Sequence, residues 1–124
     1  MPSLVLRRLA GDDAVCRLGA SEAIPPWAEG AGFVSVSRSD EELSIRAERV
    51  PAAVRQDAPW TGFALQGPFE CGQTGIVLAM VAPLAAAGIG VFVVSTFDGD
   101  HLLVKAADAG AAVQQLRAAG HRID

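Results

Sequence analysis

Hydrophobic positions recur with period two in some stretches of the chain and with helical spacing in others, and the changes of period mark its elements. Trp60-Thr61-Gly62-Phe63-Ala64-Leu65-Gln66 alternates as a strand with one buried face, and Gly67-Pro68 ends it. Ile76, Met80 and Leu84 fall four apart, with Val77, Leu78 and Val81 widening the stripe. That pattern predicts a helix buried against a sheet, with Thr74 as N-cap, an end near Ala87 and Gly88 as C-terminal glycine. Pro83 stands inside this helix, where it deletes one backbone bond at a cost of about 3 kcal/mol or a kink. Val91-Phe92-Val93-Val94-Ser95-Thr96 is a nearly continuous β-branched run, expected of a central strand covered on both faces. Asp98-Gly99 then signals a hairpin, and Leu102 to Ala106 is the returning strand. Asp108 is placed to cap a last helix with the stripe Ala109, Ala112, Val113 and Leu116, ended by Gly120. His121 to Asp124 adds a short edge strand. The order β-α-β-β-α-β is a split βαβ arrangement of ferredoxin-like type.

The first half reads as a worn copy of the second. Phe33 to Arg38 alternates, Ser39 to Glu42 turns, Leu43 to Ala47 returns, and Pro51 opens a short helix through Val54. A shift of 59 positions lays Leu43, Ile45, Arg46 and Ala47 on Leu102, Val104, Lys105 and Ala106. The copy lacks its first helix: Ser21 to Gly32, with Pro25-Pro26 and two glycines, is a loop with one helical turn at most, around Trp27. Before it, Leu4 to Leu9 and Ala14 to Leu18 are expected to form a hairpin around Gly11-Asp12-Asp13.

Composition narrows the function classes. With 124 residues, 51% hydrophobic and 19% charged, the chain has the make-up of about one folded domain. A net charge of −4 argues against nucleic acid, whose phosphates need a basic face. No run of about 18 apolar residues exists to span a membrane, and Met1 to Arg8 has the wrong order for a secretory signal. The expected location is the cytoplasm. Cys16, Cys71, His101 and His121 lack metal-ligand spacing, so no metal or cofactor is expected. A Cys16–Cys71 disulfide stays open beside two buried thiols.

The second half resembles the ACT domain. The resemblance rests on Thr74-Gly75-Ile76-Val77, on Pro83-Leu84-Ala85-Ala86-Ala87-Gly88-Ile89, and on Val94-Ser95-Thr96-Phe97-Asp98-Gly99-Asp100-His101-Leu102-Leu103-Val104-Lys105. It is most similar to the subgroup of small stand-alone bacterial ACT proteins that resemble the arginine sensors of the TOR pathway. The resemblance implies an α+β protein of two ACT-type (βαββαβ) halves, antiparallel sheets with helices on one face. The first half, residues 1–58, is abridged and the second, 59–124, complete. It implies a non-catalytic regulatory or sensor protein that binds a free amino acid, and a homodimer. The alternative is a structural dimerisation or partner-binding module whose ligand site is vestigial. Carried over by motif, the ligand-binding residues are Thr74, Gly75 and Ile76, then Phe92, Val93, Val94, Ser95 and Thr96, with Asp98 and Asp100 as ligand-facing acids. The first half departs from the pattern, with Arg38-Ser39-Asp40 in place of the serine-threonine-aromatic-aspartate phrase.

Physical chemistry accommodates that assignment. Helix-start amides at Gly75 and Ile76 suit a carboxylate, and glycine allows close backbone approach. Asp98 and Asp100 suit an ammonium or guanidinium. Each feature also has a plainer explanation, in a loop glycine and in a hairpin turn. His101 is expected as a half-exposed strand residue, and Ser95-Thr96 has no base partner or nucleophile elbow. A small enzyme is the weakest option. Glu41-Glu42 is expected as a solvated turn, and Trp27 and Trp60 as anchors of loops on the core.

Overall fold

In the computed structural model, residues 2–66 and 74–124 are described. Among the described residues, seven strands and two α-helices follow one another: β1 (Val5–Leu18), β2 (Ser35–Arg38), β3 (Leu43–Ala47), β4 (Gln56–Leu65), α1 (Ile76–Ala86), β5 (Val91–Ser95), β6 (Asp100–Lys105), α2 (Ala109–Ala118) and β7 (Arg122–Ile123). The chain divides into two compact units, a helical one of Met1–Leu9 with Thr61–Asp124 and a strand unit of Ala10–Trp60. The expected division at 58/59 places the first nine residues in the other half. They belong with the helical unit because β1 pairs there with β7, in parallel, Val5 opposite Arg122 and Leu6 opposite Ile123.

The helical unit has the expected element order. Its strands lie in the order β7-β1-β4-β6-β5. Leu6, Phe63, Leu65, Leu102 and Val104 from the strands enclose a core with Ile76, Met80, Leu84, Ala112 and Leu116 from the helices. Ala109 and Ala112 are buried and Val113 packs at the border, as the spacing of α2 predicts. Both helices end alike. Gly88 and Gly120 have φ of +75° and +94°. Ile89 N–H reaches Leu84 O and Gly88 N–H reaches Ala85 O, while His121 and Gly120 make the matching pair to Leu116 and Arg117. These are Schellman closures, in which a left-handed glycine lets two trailing amides satisfy the last carbonyls.

Several expectations are corrected here. The N-cap of α1 is Gly75, at φ +82°, not Thr74, and no side-chain cap bond is made. Asp108 holds the N-cap position of α2 without a cap bond, because a 3₁₀ turn over Ala106–Asp108 leads straight into the helix. Val77 and Leu78 do not widen the buried stripe; they are 41% and 60% exposed. Strand β5 is at the sheet's edge in this unit rather than covered on both faces. Val91 and Val93 meet the core, whereas Phe92 is exposed. The Asp98-Gly99 hairpin forms as expected, with Ser95 opposite Asp100 and Phe92 opposite Leu103.

In the strand unit the order is β2-β3-β1-β4. β3 lies antiparallel to both β2 and β1, with Leu43 opposite Arg38 and Leu18. Cys16, Ala28, Leu43, Ile45 and Ala47 are buried, and Trp27, Val34 and Val54 pack against them. The expected hairpin around Gly11 is instead one strand of 14 residues. Gly11, at φ +74°, is accommodated inside the strand, where an extended stretch passes through a left-handed residue as in a glycine bulge. The expected helix at Pro51 shortens to one turn closed by Val54 N–H to Pro51 O at 3.0 Å. A 3₁₀ turn over Pro26–Glu29 carries Trp27, as expected. At the β2–β3 turn, Ser39 Oγ accepts from the amides of Glu41 and Glu42. The Ala58–Pro59 peptide is cis. Cys16 is a buried free thiol, raised in pKa chiefly by burial. Cys71 and the Gly67-Pro68 strand end lie outside the described residues.

Candidate functional site

The site residues inferred from sequence fall into two groups in the helical unit. The first is the start of α1. Thr74 and Gly75 are exposed, and nothing among the described residues lies within 4 Å of where a Gly75 side chain would begin. Ala79 N–H closes the first turn on Gly75 O at 2.9 Å. Amides ahead of it in a helix have no intrahelical acceptor, and the N-cap residue, a glycine, offers no side chain to cap them. The Ile76 side chain lies in the core, as its place in the apolar stripe predicts, so its amide is the group it could offer a ligand.

The second group is the β5–β6 hairpin. Thr96 N–H donates to Gly99 O at 2.7 Å and the Thr96 hydroxyl to the same oxygen at 2.9 Å. Ser95 Oγ donates to Asp100 Oδ1 across the strand pair. Thr96 and Asp100 therefore serve the turn itself, while Asp98 is exposed. Further down β5, Val93 is half-buried against the core and Val94 half-buried opposite His101, with Phe92 outermost. The Gly99 end of the hairpin lies beside Leu65 O, 3.7 Å from a Gly99 Cβ position. Leu65 ends β4, whose continuation leads into α1. Phe97 at the hairpin tip is 92% exposed.

Other polar groups have clear structural employment. Burial pushes the His101 imidazole below its ordinary pKa, against an opposing pull from Asp100. In the strand unit, Arg46 Nη1 donates to Asp13 Oδ1 at 2.8 Å, and its guanidinium carbon is 5.4 Å from the Trp60 ring centroid. The Asp13 pKa lies above its ordinary value, raised chiefly by burial and opposed by the Arg46 guanidinium. Sequence inspection passes over both this pair and His121. Their partners are far away along the chain, so no local spacing signals them. Among the described residues, no cluster of His, Cys, Asp or Glu could hold a metal ion, and no helix is long and apolar enough to cross a membrane.

Comparison with known proteins places this architecture. The ACT domain family model matches residues 56–118, and a second model, describing an N-terminal domain, matches residues 11–53. No curated protein matches the chain. A solved Agobacterium tumefaciens protein is 51% identical over 100% of this chain and 94% of its own, with a TM-score of 0.94. A Vibrio cholerae structure, described as of unknown function and a possible transport protein, is 23% identical over 94% of this chain and 90% of its own, at TM-score 0.75. The allosteric aspartate kinase of Clostridium acetobutylicum is similar at TM-score 0.63 and 11% identity, over 92% of this chain but 34% of the kinase. The fold is thus mixed α/β with a mostly antiparallel sheet and two helices, and half of the sequence, from the start of β4 to the end of α2, fits one family. The chain belongs to the ACT-domain family.

Proposed function

We propose that this protein binds a free amino acid as a non-catalytic regulatory module, at the end of the helical unit where α1 begins. The observation that carries this reading is the first turn of α1 behind Gly75, where the backbone is left-handed and no described residue caps the amides or lies within 4 Å of a Gly75 side-chain position. Those donors and the helix dipole favour a carboxylate. Asp98, on the hairpin beyond Leu65, is the proposed acceptor for the ammonium or for a basic side chain. Thr74, Gly75, Ile76 and the β5 residues Phe92 to Thr96 complete the proposed site, with Asp100 orienting Ser95. Kinship with the arginine sensors of the TOR pathway is the narrower form of the proposal and makes a basic ligand the first to test. The strand unit is proposed to be an abridged second ACT unit.

Thermal melting against the twenty amino acids, followed by calorimetry with the best, tests the reading. Ligand at 100 times its Kd is expected to stabilise the fold by about 2.7 kcal/mol. Asp98→Ala is expected to weaken binding about ten- to a hundredfold, the worth of one charge-assisted bond, while Glu41→Ala in the β2–β3 turn leaves it unchanged. Gly75→Val is a poorer probe, because a β-branched residue at φ +82° strains the backbone whether or not a ligand binds. Absence of any amino-acid-dependent shift would sink the proposal. That result would favour a dimerisation module with a vestigial site, for which the internal commitment of Ser95, Thr96 and Asp100 already argues.

A homodimer is part of the same proposal. β5 ends the strand order in its unit and presents Phe92 at 42% exposure, and a terminal strand carrying an exposed aromatic suits pairing with a second copy. Sedimentation at micromolar concentration is expected to give a dimer mass, and Phe92→Lys a monomer. A parent protein that sediments as a monomer with and without amino acids would remove the dimer from the reading.

A further inference from the structure

We infer that His121 is a positioning residue that replaces the backbone donor missing at Pro83 and clamps the N-terminal strand to α1. In an α-helix the amide of residue 83 would donate to the carbonyl of residue 79. Pro83 has no amide, and its ring crowds that carbonyl, so Ala79 O needs another donor. His121 Nε2 lies 2.9 Å from Ala79 O. On the other side of the ring, Leu4 N–H donates to Nδ1 at 3.1 Å. An amide can only donate, so Nδ1 must be the bare nitrogen and Nε2 must carry the proton. Both ring nitrogens are then satisfied, in a side chain left only 7% exposed. The ring is held in register from below by the Schellman closure of α2, in which His121 N–H reaches Leu116 O at 3.1 Å.

One side chain thus ties together three segments: the middle of α1, the residue that precedes β1, and the end of α2. The arrangement explains how α1 runs unbroken through Pro83 from Ile76 to Ala86. It also holds the helix proposed to present its first turn to a ligand, although the inference stands on the hydrogen bonds alone and not on that ligand.

The test is a thermodynamic cycle on the full chain. His121→Ala is expected to lower Tm by roughly 5–15 °C, since two buried backbone groups lose their partners. Pro83→Ala restores an amide that can bond Ala79 O, so the loss caused by His121→Ala is expected to shrink by about half in that background. His121→Asn keeps an acceptor near the Nδ1 position, and combined with Pro83→Ala it is expected to return Tm to within a few degrees of the parent. Equal Tm losses for His121→Ala in the parent and in the Pro83→Ala background would overturn the inference. Imidazole ¹⁵N NMR of the unaltered protein reads the same bond without any variant, so it decides the matter if His121→Ala fails to fold. The Nε2–H tautomer is expected; an Nδ1–H or averaged ring overturns the assignment.

Discussion

Arg46→Met is expected to destabilise the protein by about 3–5 kcal/mol, a range typical of removing one member of a buried ion pair. Arg46 is 3% exposed on β3, and its guanidinium holds Asp13 while stacking over Trp60. Methionine fills much of the stem's volume but leaves the Asp13 carboxylate buried without its counter-charge. The pH dependence separates charge from packing. Burial already raises the Asp13 pKa, and Arg46 supplies the two influences that lower it. Removing Arg46 therefore moves this pKa further up. A carboxyl whose folded pKa lies above its unfolded value is favoured by folding when protonated. The penalty is thus absent below the ordinary carboxylate range, grows as pH rises through the window up to the raised value, and persists at neutrality. Urea unfolding at about pH 4 and pH 7 is expected to show the larger deficit at pH 7. Equal deficits at both would assign the loss to packing of the arginine stem.

Phe63→Ala is the second large effect, about 3–5 kcal/mol from lost transfer energy and the cavity left behind. Phe63 is fully enclosed in β4, on the sheet face covered by α1 and α2. Because Met80, Leu84 and Leu116 are anchored in helices, they cannot collapse into the vacated volume without moving those helices. Phe97→Ala gives the contrast: the same atoms removed at a 92% exposed position are expected to change stability by less than about 0.5 kcal/mol. Denaturant midpoints measure both. A Phe63→Ala loss as small as that of Phe97→Ala would mean that β4 presents its other face to the helices.

The helical unit is largely legible in the sequence because its signals are local. Gly88 and Gly120 close helices, Asp98-Gly99 turns a hairpin, and the Ile76-Met80-Leu84 spacing selects a face, all within a few residues. What sequence reading misses depends on distant partners. Gly11-Asp12-Asp13 has the composition of a turn, yet a left-handed glycine serves equally inside a strand, and only pairing with β3 and β7 decides between them. The Val91 to Thr96 run is β-branched whether the strand is central or at an edge. Val77 and Leu78 look like core by hydropathy, and nothing local reveals that α1 turns them outward. At the candidate site, motif spacing locates the helix start and the hairpin. It does not reveal that Ser95 and Asp100 hold each other.

The parallel pairing of β1 with β7 has a kinetic side. Leu4 and His121, 117 residues apart, meet in a hydrogen bond, and Asp124 N–H reaches Leu6 O at 2.8 Å. Of the strands in the helical unit's sheet, β1 is thus the first to leave the ribosome, and one of its neighbours, β7, is the last. Until that neighbour emerges, β1 has an unfilled edge, and joining the two closes a loop that holds every other element. Closure of so long a loop orders little else in advance, which puts this contact among the non-local kind that slows folding. The emergence of β7, rather than of any segment between, completes the sheet.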